Sequence, residues 1–311
     1  MSTVDALVAG DHAALARALT LLERGGPEAA ALRAALRPHT GRGTVVGVTG
    51  PPGAGKSSLI ADLVTVLRAR DMRVAVIAVD PSSPISGGAV LGDRARMGTH
   101  TADEGVFIRS VASRGQSGGL ARAVPAFLDA VDAAGWPIIL LETVGSGQSD
   151  VDVAELADVA VLVSVPGLGD DLQAIKSGML ELADVLVVNK CDLPGAERTA
   201  RQLESMLTLR RQDAARPPVI RTSTLDSTGV VALLDAVNGT ARAGDSLRRV
   251  RSELLIAAEA EFARRLRHVP IDKACAAVRA GTQGVEEIVA DLLASISVHS
   301  PESRRDLSPK P

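Results

Sequence analysis

The stretch at residues 50–57, GPPGAGKS, limits the possible folds of this chain more than any other feature. It matches G-x-x-x-x-G-K-[ST], a loop whose backbone N–H groups cradle phosphates. An apolar run at 44–49 precedes it and predicts a buried strand, and the apolar residues of 58–67 recur at helical spacing. We therefore predict an α/β fold of the P-loop NTPase type, with a mostly parallel central sheet flanked by N-terminal and C-terminal helical segments.

The loop itself supplies the first candidate binding residues. Lys56 can reach the β- and γ-phosphates of a nucleotide, and the Ser57 hydroxyl can ligate Mg²⁺. The helix N-terminus behind them favours a polyphosphate anion. The residues predicted to contact the nucleotide here are Gly53, Ala54, Gly55, Lys56, Ser57 and Ser58. A glycine-rich turn that happens to carry a lysine is the alternative, and the flanking strand and helix argue against it.

Further apolar runs predict the remaining strands, and in two of them the apolar residues are followed directly by an acid, Asp80 or Glu142. The runs are 73–80, 106–109, 137–145, 158–165, 185–192 and 218–224. Asp80 and Glu142 would lie at the carboxyl ends of their strands, where α/β sheets bind ligands. Glu142 has the Walker B position, at which an acid holds Mg²⁺, and Gly145 would let the backbone sense the γ-phosphate. The polar segment 81–97 is a candidate switch.

An N-K-x-D motif after one of these runs indicates which base is bound. A carboxylate at Asp192 can accept two N–H bonds from the Watson–Crick edge of guanine, whereas adenine would leave that acid unpaired. The stem of Lys190 can lie over the base, and Asn189 can hold the neighbouring loops together. Ser223 and Thr224 lie in the last predicted loop, whose backbone N–H groups would contact the guanine O6.

Composition argues against several other classes of protein. The net charge of −3 over 311 residues indicates neither a nucleic-acid footprint nor a membrane patch. Cys191 and Cys275 are far apart and form no CxxC pair, so neither a disulfide framework nor a zinc site is indicated. The first ten residues lack the features of a signal peptide, and we find no membrane-spanning apolar run. We expect a cytoplasmic protein that binds neither nucleic acid nor membrane.

Helical patterns flank the nucleotide-binding region on both sides. The predicted divisions are an N-terminal helical segment at 1–40, a GTPase domain at 41–245 and a C-terminal helical arm with a flexible tail at 246–311. Residues 2–37 are predicted to be helical, broken at 25–27, as a hairpin packed against the nucleotide domain. An amphipathic helix at 246–268 and a second helical stretch at 272–296 precede a polar tail at 297–311.

With these motifs in this order, the chain resembles the methylmalonyl-CoA mutase-associated GTPases of the MeaB/ArgK type, members of the SIMIBI class of P-loop GTPases. The resemblance covers nearly the whole chain. It rests on GPPGAGKSS, VDPSS, LGDRARM, ETVGSGQSD, GDDLQAIKSG and NKCD. It implies a GTPase domain between an N-terminal helical segment and a C-terminal dimerisation arm, and hence a homodimer.

The same resemblance implies roles for particular residues. The metal-binding set would be Ser57, Asp80, Asp93 and Glu142, with the acids acting on Mg²⁺ directly or one layer out. The catalytic set would be Lys56, Asp93, Arg96, Glu142 and Lys176, with Arg96 in the switch segment. Asp170 and Lys176 match a third switch that couples the nucleotide state to a partner, and a surface ion pair is the alternative for these two.

The function that the resemblance implies is a Mg²⁺-dependent GTPase that binds GTP and GDP and chaperones a cobalamin-dependent acyl-CoA mutase. It would gate the loading of adenosylcobalamin and protect the holoenzyme of a methylmalonyl-CoA mutase type. Water would attack the γ-phosphate, and catalysis would come from positioning and charge neutralisation. Gln148 lies three residues past Gly145, which is not the usual place for a residue that orients water. We therefore expect slow intrinsic turnover that a partner accelerates.

Three alternatives stay open at this point. A metallochaperone GTPase for nickel or cobalt enzymes needs a soft or imidazole site, yet Cys191 has no cysteine or histidine close to it in sequence. A kinase or transport-linked ATPase is disfavoured by the N-K-x-D motif. A homologue that does not hydrolyse nucleotide is disfavoured by the intact Lys56 and Ser57 and the acidic set.

Overall fold

The structure, a computed structural model, describes residues 2–80, 103–112, 123–143, 148–167, 179–207, 216–240, 247–266 and 271–298. The chain divides into two units, Met1–Ser252 and Glu253–Pro311. The first unit contains the predicted nucleotide-binding region together with the N-terminal helices. The second contains the C-terminal helical stretch.

The apolar runs of the first unit form a single sheet of seven parallel strands in the described part of the chain. The strands are β1 (Thr44–Thr49), β2 (Val74–Asp80), β3 (Val106–Ala112), β4 (Ile138–Thr143), β5 (Val159–Ser164), β6 (Val185–Val188) and β7 (Val219–Arg221). Their order is β3-β2-β4-β1-β5-β6-β7. The predicted fold class is confirmed, and the sheet is parallel throughout these strands. Their carboxyl ends lie at one edge, where such sheets bind ligands.

Helices cover both faces of this sheet, as parallel strands joined by crossovers require. The helices are α1 (Thr3–Val8), α2 (His12–Arg24), α3 (Pro27–Leu36), α4 (Lys56–Ala69), α5 (Val124–Ala133), α6 (Gln148–Leu156), α7 (Met179–Leu182), α8 (Ala196–Leu207), α9 (Val230–Thr240), α10 (Leu247–Leu266), α11 (Ile271–Arg279) and α12 (Val285–Val298). Valines of β1, β2, β5 and β6 pack with leucines of α4 and α9 in one core. Helices α7 and α8 pack on β5 and β6 in another.

The N-terminal segment contains three helices, so the predicted hairpin is wrong in one respect. Gly10, at φ +86°, ends the first helix, and the Asp11 side chain accepts the Ala14 N–H at 2.9 Å to begin the second. The apolar stripe of this segment continued through that break, which hid it from sequence analysis. The predicted break at 25–27 is confirmed, because α2 ends at Arg24 and α3 begins at Pro27.

A buried acid attaches these helices to the rest of the first unit. Arg33 of α3 donates to Asp129 of α5 at 2.7 Å, and Arg37 lies 3.5 Å from the same carboxylate. The Asp129 side chain is fully buried. A buried carboxylate needs such partners, since an isolated buried charge is costly. The N-terminal helices therefore pack against the nucleotide domain, as predicted.

Two more acids hold the opposite edge of the sheet, where β1 begins. The Asp132 carboxylate accepts the backbone N–H groups of 41–43 at 2.6 to 3.1 Å, and Asp158 accepts the Val45 N–H at 2.8 Å. Arg249, at the start of α10, is almost fully buried and lies within 3.9 Å of both acids. The segment 41–43, which leads into β1, is thus held by bonds to a side chain.

The second unit corrects another prediction. The helical stretch predicted at 272–296 is two helices, α11 and α12, separated at Gly281, which has φ +67° and follows the last turn of α11. Such a left-handed glycine is a common helix terminator. Among the described residues, no helix is both long and apolar enough to cross a bilayer.

Candidate functional site

The phosphate loop has the backbone conformation that its glycines predict. Gly50, Gly53 and Gly55 all have positive φ, and α4 begins directly after them at Lys56. The Lys56 ammonium donates to the carbonyl oxygens of Gly50 at 2.7 Å and of Pro51 at 3.1 Å. Lys56 is almost fully buried, so its charge is held at the mouth of the loop. The cation and the helix N-terminus therefore lie together at the loop, and both favour binding of a phosphate group there.

The Walker B acid meets the loop across the sheet. Strand β4 pairs with β1 so that Glu142 lies opposite Val48, two residues before the loop. The Ser57 hydroxyl donates to the Glu142 carboxylate at 2.6 Å, and both side chains are buried. A hydroxyl and a carboxylate are the hard oxygen donors that Mg²⁺ prefers. The residues present therefore fit the predicted metal.

The N-K-x-D motif bonds directly to the phosphate loop. Asn189 is fully buried, donates to the Ala54 carbonyl at 2.8 Å and accepts from the Thr222 hydroxyl at 3.0 Å. Lys190 has φ +54° and donates to the Gly53 carbonyl at 2.9 Å. Asn189 thus holds the two loops together, as predicted. Its bond to Thr222 adds the loop after β7 to the same contact.

The predicted guanine-recognising acid is exposed at this edge. Asp192 accepts the Ser223 hydroxyl at 2.7 Å, which orients the carboxylate while leaving the side chain open to solvent. Thr224, next to Ser223, is half-buried. The loop then turns back, because the Ser223 N–H donates to the Thr228 carbonyl at 3.1 Å. An oriented and accessible carboxylate is what recognition of a base edge requires.

Two carboxyl groups beside this loop have shifted pKa values. Burial raises the pKa of Asp62 on α4, and a hydrogen bond with Ser227 opposes that shift. Hydrogen bonds from the side chain and backbone of Thr228 lower the pKa of Asp226, which is exposed. Asp62 thus bonds the loop between β7 and α9, and Asp226 is part of that loop.

Three residues at the site were given no role by sequence analysis. Asp150, in the first turn of α6, accepts the Thr49 hydroxyl at 2.7 Å and also accepts the Thr143 hydroxyl. All three side chains are buried. Asp150 ends the stretch ETVGSGQSD that carried part of the resemblance, and this was the available signal. That stretch alone does not show that Asp150 bonds to Thr49, 101 residues before it, and to Thr143, 7 residues before it.

For several predicted site residues the structure gives no side-chain contacts at this site. Those outside the described residues are Asp93, Arg96, Gly145, Asp170 and Lys176, with the rest of the switch segment 81–97. Asp80 is the last residue of β2, and its neighbour Val79 lies opposite Thr143 of β4. Its backbone therefore lies at the predicted edge. Gln148 is the first residue of α6.

Among the described residues, no group of three or more His, Cys, Asp and Glu could hold a metal ion.

A parallel sheet at whose carboxyl edge a phosphate loop meets an N-K-x-D motif defines a P-loop protein that binds guanine nucleotides. The family model described as "Methylmalonyl Co-A mutase-associated GTPase MeaB" matches residues 15–281. The chain therefore belongs to the MeaB family of GTPases, and the predicted resemblance and the predicted GTPase activity are confirmed.

Individual relatives agree with this family. A Pyrococcus abyssi protein named as a GTPase is 46% identical over 238 residues, which cover 75% of this chain and 74% of that protein. GTPase ArgK of Escherichia coli is 39% identical over 237 residues, 73% of this chain and 72% of ArgK. A crystal structure of a LAO/AO transport system kinase matches with a TM-score of 0.69 at 28% identity, covering 95% of this chain and 96% of that one.

The contact between the phosphate loop and Asn189 gives a testable prediction. A Cβ on Gly55 would lie 2.5 Å from the Asn189 amide nitrogen, whereas one on Gly53 would meet nothing within 4 Å. Both glycines have positive φ, so alanine at either costs about 1–2 kcal/mol in backbone strain. We expect Gly55→Ala to be less stable than Gly53→Ala by a further ~1–3 kcal/mol, because Asn189 must leave its acceptor.

Urea unfolding of the two variants measures this difference, and titration with a fluorescent GDP analogue measures its consequence. Gly53→Ala is the matched control for backbone strain. Equal losses of stability and of GDP affinity in both variants would show that the contact with Asn189 is unimportant.

Proposed function

We propose that this GTPase is a chaperone of a cobalamin-dependent acyl-CoA mutase of the methylmalonyl-CoA mutase type. In this proposal GTP hydrolysis gates the loading of adenosylcobalamin and protects the holoenzyme. The supporting observation is the match of residues 15–281 to a family described as mutase-associated. The match includes the phosphate loop, the Walker B acid and the N-K-x-D motif. The chain therefore carries the nucleotide-binding motifs that a chaperone driven by GTP hydrolysis needs.

The proposed roles at the phosphate site follow from the contacts around Lys56. Two carbonyl oxygens hold its ammonium, and phosphate oxygens would replace them because charge-assisted bonds are stronger than neutral ones. We assign the metal to Ser57 and Glu142, which already touch, and to Asp80 and Asp93. Bound Mg²⁺ would neutralise charge on the β- and γ-phosphates. The catalytic roles of Arg96 and Lys176 stay predictions.

The proposed specificity for guanine depends on Asp192. Its carboxylate, oriented by Ser223, would accept the N1 and N2 protons of guanine. Lys190 is bonded to the Gly53 carbonyl, so its stem passes between the base loop and the phosphate loop. Adenine has an acceptor at N1 and no 2-amino group, so it would leave the carboxylate without a donor.

We expect Asp192→Asn to weaken GTP binding at least about 100-fold, because the amide removes a charge and presents a donor to two guanine donors. Xanthosine triphosphate, whose C2 oxygen accepts from an amide, should bind the variant better than GTP. Competition titrations against fluorescent GDP measure both affinities. Glu204→Gln, which removes an exposed carboxylate on α8, is the matched control and should bind GTP normally. Unchanged GTP affinity in Asp192→Asn would contradict the assignment.

The proposal includes a homodimer formed through the C-terminal arm at 246–311. Helix α12 carries exposed apolar side chains at i, i+4 and i+8, namely Val285, Val289 and Leu293, which are 57%, 44% and 48% exposed. A helical stripe of this kind is the usual face of a helix–helix contact. Single exposed apolar residues need no explanation, but a spaced row of them supports an interface.

If this stripe forms the dimer contact, Val289→Glu should convert the protein to monomers by burying an unpaired charge at the interface. Light scattering coupled to size-exclusion chromatography measures the mass in solution. Ala294→Glu adds the same charge on the opposite side of the helix, which is also exposed, and should leave the dimer intact. A wild-type monomer, or a dimer in both variants, would contradict this contact.

The partner is tested by GTP hydrolysis with the purified protein, alone and with a methylmalonyl-CoA mutase from the same source. We expect slow turnover alone, at least about tenfold acceleration by the mutase, and no reaction with ATP. Lys56→Ala, which removes the phosphate-loop cation, should be inactive in both conditions. GTP hydrolysis without stimulation would contradict the mutase as partner, and fast hydrolysis by the isolated protein would contradict the gating.

The alternatives gain no support from the described residues. Cys191 is half-buried and packs against the core beside β6, as a small apolar residue does. Its backbone N–H donates to the Thr222 carbonyl, which makes it part of the loop framework. A role in nickel or cobalt delivery therefore remains an untested prediction, as does a cytoplasmic location.

A further inference from the structure

We propose that Asp150 is a positioning residue for GTP hydrolysis, one that holds the phosphate loop, the Walker B acid and the start of α6 in their working arrangement. The inference rests on the proposed roles of Lys56, Ser57 and Glu142 at the phosphate site. It assigns a function to a buried acid that neither the predicted motifs nor the proposed mechanism uses.

One carboxylate oxygen of Asp150 joins three segments of the chain. Its Oδ1 accepts the hydroxyl of Thr49 at 2.7 Å and the hydroxyl of Thr143. Thr49 is the last residue of β1 and immediately precedes Gly50, where the phosphate loop begins. Thr143 is the last residue of β4 and immediately follows Glu142. A shift of this one oxygen therefore acts on both sides of the phosphate site.

The sheet ladder does not by itself make this link. The register of β1 with β4 runs from Thr44 and Ile138 to Val48 and Glu142. On their other sides Thr49 lies opposite Leu162 of β5, and Thr143 lies opposite Val79 of β2. The ladder between β1 and β4 thus ends one residue before these two threonines. The hydroxyl bonds to Asp150 connect them there.

The chemistry of the cluster also favours a positioning role. The Asp150 side chain is 8% exposed and the two threonines 1% each, so a charged group has been removed from water. Its position in the first turn of α6 offsets part of that cost through the helix dipole. Buried polar networks whose members are satisfied hold one arrangement more rigidly than apolar packing does. Precise placement of donors and acids is the main source of catalysis in phosphoryl transfer.

The test removes the Thr143 bond alone and then both bonds together. Thr143→Val keeps shape and strand propensity but loses the hydroxyl, and Thr143→Ser keeps the hydroxyl. Asp150→Ala removes the acceptor for both threonines. Thr20→Val is the matched control, since it removes a threonine hydroxyl bonded to the Ala16 carbonyl within α2, far along the chain from these motifs. Single-turnover GTP hydrolysis, GDP affinity and thermal unfolding are measured on the full chain.

We expect hydrolysis to slow about tenfold or more in Asp150→Ala and about threefold or more in Thr143→Val, because each loses bonds to a charged acceptor. Thr143→Ser should stay within about twofold of wild type, and Thr20→Val should be unchanged. GDP affinity should stay within about threefold in every folded variant, because the base loop is intact. A slower chemical step with normal GDP binding is a result that lost stability alone does not produce.

Two outcomes distinguish a failure of this inference from a failure of the proposed roles of Lys56, Ser57 and Glu142. Normal hydrolysis in folded Thr143→Val and Asp150→Ala, with only a lower unfolding temperature, would overturn it and leave Asp150 a structural residue. Glu142→Gln belongs in the same series. Normal hydrolysis there would overturn the proposed metal-site roles, and with them the reason for positioning Glu142, whereas slow Glu142→Gln beside normal Asp150→Ala would overturn this inference alone. The mutase is absent from every assay, so its identity does not affect the result.

Discussion

The buried amide of Asn189 is the contact on which the nucleotide site depends. It donates to the Ala54 carbonyl and accepts from Thr222, so one side chain joins the phosphate loop, the N-K-x-D motif and the loop after β7. Because Asn189 is fully buried, each of its bonds is made in a low-dielectric setting where an unpaired polar group is costly. The three loops are therefore held in one arrangement before any nucleotide arrives, which reduces the ordering cost of binding.

Other buried polar contacts divide between the two edges of the sheet. At the carboxyl edge, Ser57 touches Glu142 and Asp150 bonds two strand ends. At the opposite edge, Asp132 and Asp158 hold the chain where β1 begins. Helix α6 extends from one set to the other. In its first turn Asp150 bonds Thr49, the residue before the phosphate loop, and near its other end Glu155 accepts the Ser252 hydroxyl at 3.2 Å. Hydrogen bonds at both ends of this helix fix its position, and with it the position of the side chains at the phosphate site.

Sequence analysis predicted the strands and the binding motifs well because both are local signals. A strand buried on both faces is a continuous apolar run, and a phosphate loop is a contiguous pattern with a physical reason for each residue. Helix breaks were predicted less well. At Gly10 and Gly281 the chain turns where apolar spacing continues on either side, so periodicity alone extended one helix across each glycine. The break at 25–27 was found because two glycines and a proline coincide there.

The sequence by itself determined that this chain binds a guanine nucleotide on a parallel α/β sheet, since those inferences need only neighbouring residues. The tertiary structure alone decided which distant residues meet. Ser57 and Glu142 are 85 residues apart, and Asn189 is 135 residues from Ala54, and each pair is brought together by the strand order that inserts β4 beside β1 and β6 beyond β5. Asp150 shows the same limit, because the sequence does not show that the fold brings the hydroxyls of Thr49 and Thr143 to this buried acid.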